Sequence, residues 1–171
     1  MATYLPGAIE GDAVLSYLPY AHVMEQSVFC SSLVAKIQIG YYCGDPLRLV
    51  EDCQLLKPIF FVSVPRLYNR IYSKIKESFG AATGCKKWLI DQGVSSKLAA
   101  LNATGEVKSA CYDSIIFSKT AAILGGKMRL MACGGAPIEQ AVLDFLAICF
   151  SCPFGQGYGL TETGGSGCGM K

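Results

Sequence analysis

Apolar residues follow two alternating rhythms along this chain. DAVLSYLP (12–19) alternates apolar and polar and stops at proline, as a strand does. Residues 22–34 move to helical spacing, with Val23, Ser27, Cys30 and Val34 near one face. KIQIGYY (36–42) alternates again. Pro46 stands at the first position of a helix through LRLVEDCQLLK, with Asp45 as its cap. IFFVSV (59–64) is short, apolar, aromatic and β-branched, which suits a strand buried on both faces. Pro65 then opens RLYNRIYSKIKESF, where Leu67, Ile71 and Ile75 form an apolar stripe and Arg66, Arg70 and Lys74 a basic one. Two helices are expected at about 84–102 and 108–123, joined by a polar turn at 102–105. MRLMAC (128–133) reads as a strand. Pro137 is placed at the start of a helix that turns Ile138, Val142, Phe145, Leu146 and Cys149 inward, and PFGQGY (153–158) is the last strand. This alternation predicts a three-layer α/β fold: a mostly parallel sheet of about five strands with helices on both faces. In such sheets ligands bind beyond the carboxyl ends of the strands.

Composition narrows the picture. With 171 residues, 51% of them apolar, the chain fits one domain with a substantial core. A net charge of +2 gives no reason to expect a nucleic-acid partner. The charge is uneven: residues 66–129 hold eleven Lys/Arg against four Asp/Glu, while residues 1–35 hold three acids and no base. A basic middle suits a solvated helix face, peripheral contact with anionic lipid, or a phosphorylated ligand. Nine scattered cysteines, mostly in apolar runs such as LAICF, read as reduced, buried thiols in an intracellular setting. The one C-x-x-C, Cys149 to Cys152, lacks the second pair or histidines of a zinc site, since His22 is the only histidine. No apolar run reaches the roughly 18 residues of a membrane span, and MATYLPGAIEGD lacks the basic and apolar regions of a secretory leader.

Two segments carry the candidate chemistry. In CGGAP (133–137), Gly134 and Gly135 let the backbone turn sharply and approach a ligand closely. Ala136 offers no capping side chain to a helix starting at Pro137, whose free N–H groups would favour an anion. In FGQGYGLTETGG (154–165), alternation places Gly155, Gly157 and Gly159 on one face, as bare backbone that admits a flat ring. Gln156 can donate and accept as a purine edge requires, and Tyr158 can stack on a ring. Thr161 and Thr163 offer hydroxyls to phosphate oxygens, and Glu162 is an oxygen ligand suited to Mg²⁺ beside phosphate. The combination describes a nucleotide site. Familiar phosphate-binding signatures fail on spacing: GAATGCKK (80–87) sets its glycines one residue too close for a P-loop, and Leu160 stands where a dinucleotide fingerprint needs its third glycine.

GYGLTET together with the upstream GGAP resembles the paired motifs of adenylate-forming enzymes. SYLPYAHVMEQ (16–26), GDPLRLVEDCQLLKP (44–58), VPRLYNRI (64–71), YDSIIFSK (112–119) and GGKMRLMACGGAP (125–137) resemble, in that order, the long-chain fatty acid–CoA ligase branch. The resemblance implies ATP, Mg²⁺ and coenzyme A as cofactor and co-substrates of a fatty acid ligase. It implies that Gly134, Gly135, Ala136 and Pro137 line one side of adenine and Tyr158 the other. Gln156 and the Gly157 backbone would meet the purine edge, with Gly159 beside them. Thr161 would contact the α-phosphate, Glu162 would hold the metal, and His22 would lie near the acyl carboxylate. Without the motif, a lone histidine reads as a satisfied core residue.

The family pattern also contains an upstream glycine- and hydroxyl-rich phosphate loop ending in P-K-G, a ribose-binding aspartate and a C-terminal domain with a catalytic lysine. None is found in these 171 residues. The expectation is therefore a single incomplete α/β domain over 1–171, the middle of an AMP-binding domain, with no turnover of its own, an open sheet edge and exposed apolar surface. Two alternatives stay open: a non-catalytic adenine-nucleotide-binding module, and an adenylating enzyme for a different carboxylic acid.

Overall fold

Residues 7–165 and 168–170 are described in a computed structural model; the part of the leader-free reading that falls on residues 1–6 lies outside them. Five strands, β1 (Ala13–Ser16), β2 (Gln38–Tyr41), β3 (Phe60–Ser63), β4 (Leu130–Cys133) and β5 (Phe154–Tyr158), run parallel. A sixth, β6 (Cys168–Met170), which the sequence did not announce, adds to β5 antiparallel, with Gly157 opposite Gly169. The order is β2-β1-β3-β4-β5-β6, leaving β2 as an edge strand among the described residues.

Alternation along the strands separates two cores, so helices do cover both faces. Val14, Phe60 and Val62 face one side, where Val28 of α1 (Val23–Ala35) meets them. Leu15, Phe61, Met131 and Cys133 face the other, under α2 (Leu49–Leu56), α3 (Pro65–Gly80) and α7 (Gln140–Phe150). On that side α4 (Gly84–Thr104) packs on α7 and ends at Gly105, whose φ of 76° makes the left-handed helix stop. A winding segment follows through α5 (Ala110–Tyr112), a π turn (Asp113–Phe117), α6 (Ser118–Ala121) and a 3₁₀ turn (Ala122–Leu124).

Four local expectations are corrected. Helix α1 buries Glu25, Val28, Ser31 and Ser32, while Cys30 is exposed and Val34 is 70% exposed. Glu25 accepts a hydrogen bond from Ser16 of β1, and Ser32 Oγ donates to Val28 O at 2.7 Å. A satisfied acid and small serines thus bring this face close to the sheet, which the bulkier Leu33 and Val34 would prevent. Helix α2 begins at Leu49, because Asp45 instead closes a turn, accepting from Leu47 N at 2.9 Å through its side chain and from Arg48 N at 3.0 Å through its carbonyl. Helix α7 begins at Gln140 rather than Pro137. Glu139 is still extended at the cap (φ −65°, ψ 134°), and Ile138 packs on the core before the helix turns. Finally, Cys53, Cys133, Cys149 and Cys152 are buried as expected, but Cys30, Cys43, Cys85 and Cys111 are exposed.

Candidate nucleotide site

Because β1, β3, β4 and β5 run the same way, the loops that follow them emerge at one edge of the sheet. The turn after β4 is anchored by Gly134 N, which donates to Ser63 O of β3 at 3.1 Å. Gly135 takes φ +85°, a conformation that L side chains rarely adopt, which explains a glycine there. A β-carbon on Gly134 would stand 3.7 Å from the Gly157 carbonyl oxygen, so the two turns approach backbone to backbone. Gln156 Nε2 donates to Ala136 O at 3.4 Å and ties them further. Residues 134–137 and 156–158 are therefore neighbours. The free N–H groups expected at Pro137 are not there: α7 starts three residues on, so any anion-favouring helix end is displaced from this turn.

Beyond β5 the chain exposes Tyr158 (62%) and forms a 3₁₀ turn, Thr161–Thr163. Thr163 Oγ1 accepts from Leu160 N at 2.9 Å and donates to Leu160 O at 3.0 Å, so this hydroxyl shapes the turn. Thr161 and Glu162 stay exposed, and among the described residues Glu162 has no ion-pair partner. The turn is closed by Gly164 and Gly165 (φ 67° and 84°). Ser27 Oγ lies 3.4 Å from Gly164 O, and a β-carbon on Gly165 would meet Val23 at 3.2 Å. These contacts seat the turn on the first turns of α1. His22 caps that helix: its Nδ1 accepts from Met24 N at 3.2 Å, leaving Nε2 to carry the proton of the neutral ring. It is exposed rather than a core histidine. The fold thus gathers both glycine turns, the Thr–Glu–Thr turn and the α1 start along one rim.

A single free carboxylate is a poor cage but fits Mg²⁺, which keeps several waters and binds through one or two carboxylates plus phosphate oxygens. No group of three His, Cys, Asp or Glu side chains capable of holding a metal occurs among the described residues, so Glu162 would need a phosphate as co-ligand. A groove of about 500 Å³ lined by Thr104, Lys108, Arg129 and Cys152 adjoins the amino ends of β4 and β5, on the opposite edge.

Sequence reasoning missed several buried polar groups, three of them large helical side chains. Lys97 Nζ bonds Asp113, Ile148 O (2.6 Å) and Ser151 Oγ (2.8 Å). Glu25 and Tyr68 are the others. Each lies in a helical stripe with buried neighbours: Ile90, Gly93 and Lys97; Glu25, Val28 and Ser32; Tyr68, Ile71 and Ile75. That spacing was the available signal.

Residues 1–170 match the family described as AMP-binding enzyme. The chain is 40% identical over 152 residues to a peroxisomal long chain acyl-CoA synthetase 7 of Arabidopsis thaliana, covering 89% of this chain and 22% of that protein. It is 40% identical over 152 residues to a human long-chain-fatty-acid–CoA ligase 1, covering 88% and 21%. The chain thus spans about a fifth of the length of these curated relatives. Among solved structures it resembles the adenylation domain of a Mycobacterium chelonae carboxylate reductase, with TM-score 0.65, 18% identity, and 94% and 22% of the two chains covered. It also resembles the A domain of a Segniliparus rugosus carboxylic acid reductase in complex with AMP, with TM-score 0.61, 21% identity and 91% and 21% covered. These likenesses establish the fold, and with the family match they show that the chain belongs to the AMP-binding enzymes.

Proposed function

We propose that this chain forms the adenine-facing part of the active site of an intracellular, ATP-dependent long-chain fatty acid–CoA ligase. The observation that carries the proposal is the meeting of the Gly134 turn with the Gly157 carbonyl. The identity to long-chain ligases supports the substrate class. Adenine lies between the 134–137 backbone and Tyr158, its edge read by Gln156 and the Gly157 backbone, with Gly159 giving room. Thr161 meets the α-phosphate, and Glu162 holds Mg²⁺, which offsets phosphate charge. His22 stands toward the acyl carboxylate. The carboxylate attacks the α-phosphate, pyrophosphate leaves, and the thiol of coenzyme A then displaces AMP from the acyl-adenylate. Both reactants of the first step are anions, so positioning and charge compensation dominate its catalysis.

The 171 residues alone are expected to bind nucleotide without turnover, since they hold no P-K-G phosphate loop to oppose the transferred charge. The exposed Arg66, Arg70 and Lys74 stripe supports peripheral contact with an anionic membrane. Among the described residues no helix is long and apolar enough to cross one. Calorimetric titration with AMP, and with ATP with and without Mg²⁺, tests the site. AMP binding, together with Mg²⁺-dependent ATP binding that Glu162→Gln abolishes, is the expected result. AMP binding weaker than about 1 mM overturns the reading.

A further inference from the structure

The VPRLYNR segment has no part in the site as described, yet it contains the most deeply buried phenol among the described residues. Tyr68 faces inward with Ile71 and Ile75 on α3 and has 0% exposure. Its hydroxyl lies 2.9 Å from Phe61 O on β3 and 3.1 Å from Ala132 O on β4, so one proton is shared between carbonyls of adjacent strands. Its ring centroid lies 4.5 Å from that of Phe154, the first residue of β5. A second phenol, Tyr17, donates to the next carbonyl of β3, Val62 O, at 2.6 Å. Burial holds both hydroxyls well above the ordinary tyrosine range, so they remain donors at neutral and alkaline pH.

Ala132 is two residues before Gly134, and Phe154 three before Gly157. One side chain therefore touches three of the strands whose ends build the rim. We propose that Tyr68 is a positioning residue for the nucleotide site: its hydroxyl fixes the carboxyl end of β4 to β3, and its ring sets β5. Together they hold the spacing between the 134–137 turn and Gly157. The proposal rests on the nucleotide reading above, but one of its readouts does not.

Tyr68→Phe keeps the ring and deletes the hydroxyl. Ile71→Val, one turn along and also buried, is the matched control for a small loss of core stability. In the 171-residue chain, Tyr68→Phe is expected to weaken AMP about five-fold, the worth of one buried hydrogen bond. Exchange of the Gly134 amide, whose bond to Ser63 O ends the β3–β4 pairing, should speed up by a similar factor. Ile71→Val should alter neither. If Tyr68→Phe does not fold, Phe154→Leu, which keeps the hydroxyl and withdraws the ring contact, should weaken AMP while leaving Gly134 exchange unchanged. Parent-like affinity and exchange in Tyr68→Phe, or equal changes in Ile71→Val, overturn the proposal. If the parent chain binds no AMP, the nucleotide reading fails, and Gly134 exchange alone decides whether Tyr68 clamps the strands.

Discussion

Lys97→Met is the most informative perturbation of the fold. The Lys97 side chain is 1% exposed, and its three protons are directed to Asp113, Ile148 O and Ser151 Oγ, with the Phe117 ring 4.4 Å away. Desolvation holds the ammonium below its ordinary range despite Asp113, so the charge by itself is a cost. For Asp113 burial pushes the carboxyl up, but hydrogen bonds from Lys97, the Ser109 N–H and Ser151 outweigh it and hold the group below its usual value. Removing one partner of a buried pair costs about 3–5 kcal/mol. Asp113 is 25% exposed and keeps the Ser109 bond, so the lower end, about 3 kcal/mol, applies here. Urea unfolding at pH 7 measures it. Lys97→Met with Asp113→Asn should recover most of the loss, because an uncompensated partner, rather than the missing attraction, dominates the single variant. The pH dependence has a definite sign. A depressed carboxyl contributes stability that is present above the unfolded carboxylate range and is lost as pH falls through the folded value. Lys97→Met removes the partner that depresses Asp113, so the parent should lose more stability than the variant as pH falls below the unfolded carboxylate range, and the gap between them should narrow in acid. A cost below about 0.5 kcal/mol, or strictly additive single losses, would refute the reasoning.

Three further outcomes are expected. Gly134→Val should weaken AMP at least about ten-fold with little change in melting, because its γ-carbons would reach the Gly157 carbonyl; unchanged affinity would remove that turn from the site. Gly125→Ala should cost about 3 kcal/mol or more in denaturant unfolding, since the residue has φ +89° and its β-carbon would stand 2.6 Å from both Cys53 O and Lys57 Cα. Brief alkylation at pH 8 read by peptide mass spectrometry should label Cys30, Cys43, Cys85 and Cys111 and spare Cys53, Cys133, Cys149 and Cys152. Burial raises the last four thiols, to about 12 for Cys53 and Cys152 and about 11 for Cys133; rapid labelling of any of them would contradict the packing.

The sequence alone determined most of the segments that became strands and helices, and it marked the two glycine turns proposed to hold the chemistry. Strand runs such as IFFVSV and the Pro65 helix start are local signals, written in side-chain alternation and in proline's fixed φ. The paired glycine turns were legible for the same reason, since only glycine fits the +85° turn at Gly135. What the pattern could not fix was rotation and partnership. Helix α1 turned a stripe with Glu25 and two serines toward the sheet because Ser16, nine residues earlier, satisfies the acid. Helix α7 started late because Ile138 found the core first. Lys97 went inside because Ile148 and Ser151, more than fifty residues away, supply oxygens. The contact of Gly134 with Gly157 likewise exists only once β4 and β5 lie side by side. A buried polar group is tolerable only beside its partner, and its partner's position is a property of the packed chain, not of the neighbouring residues.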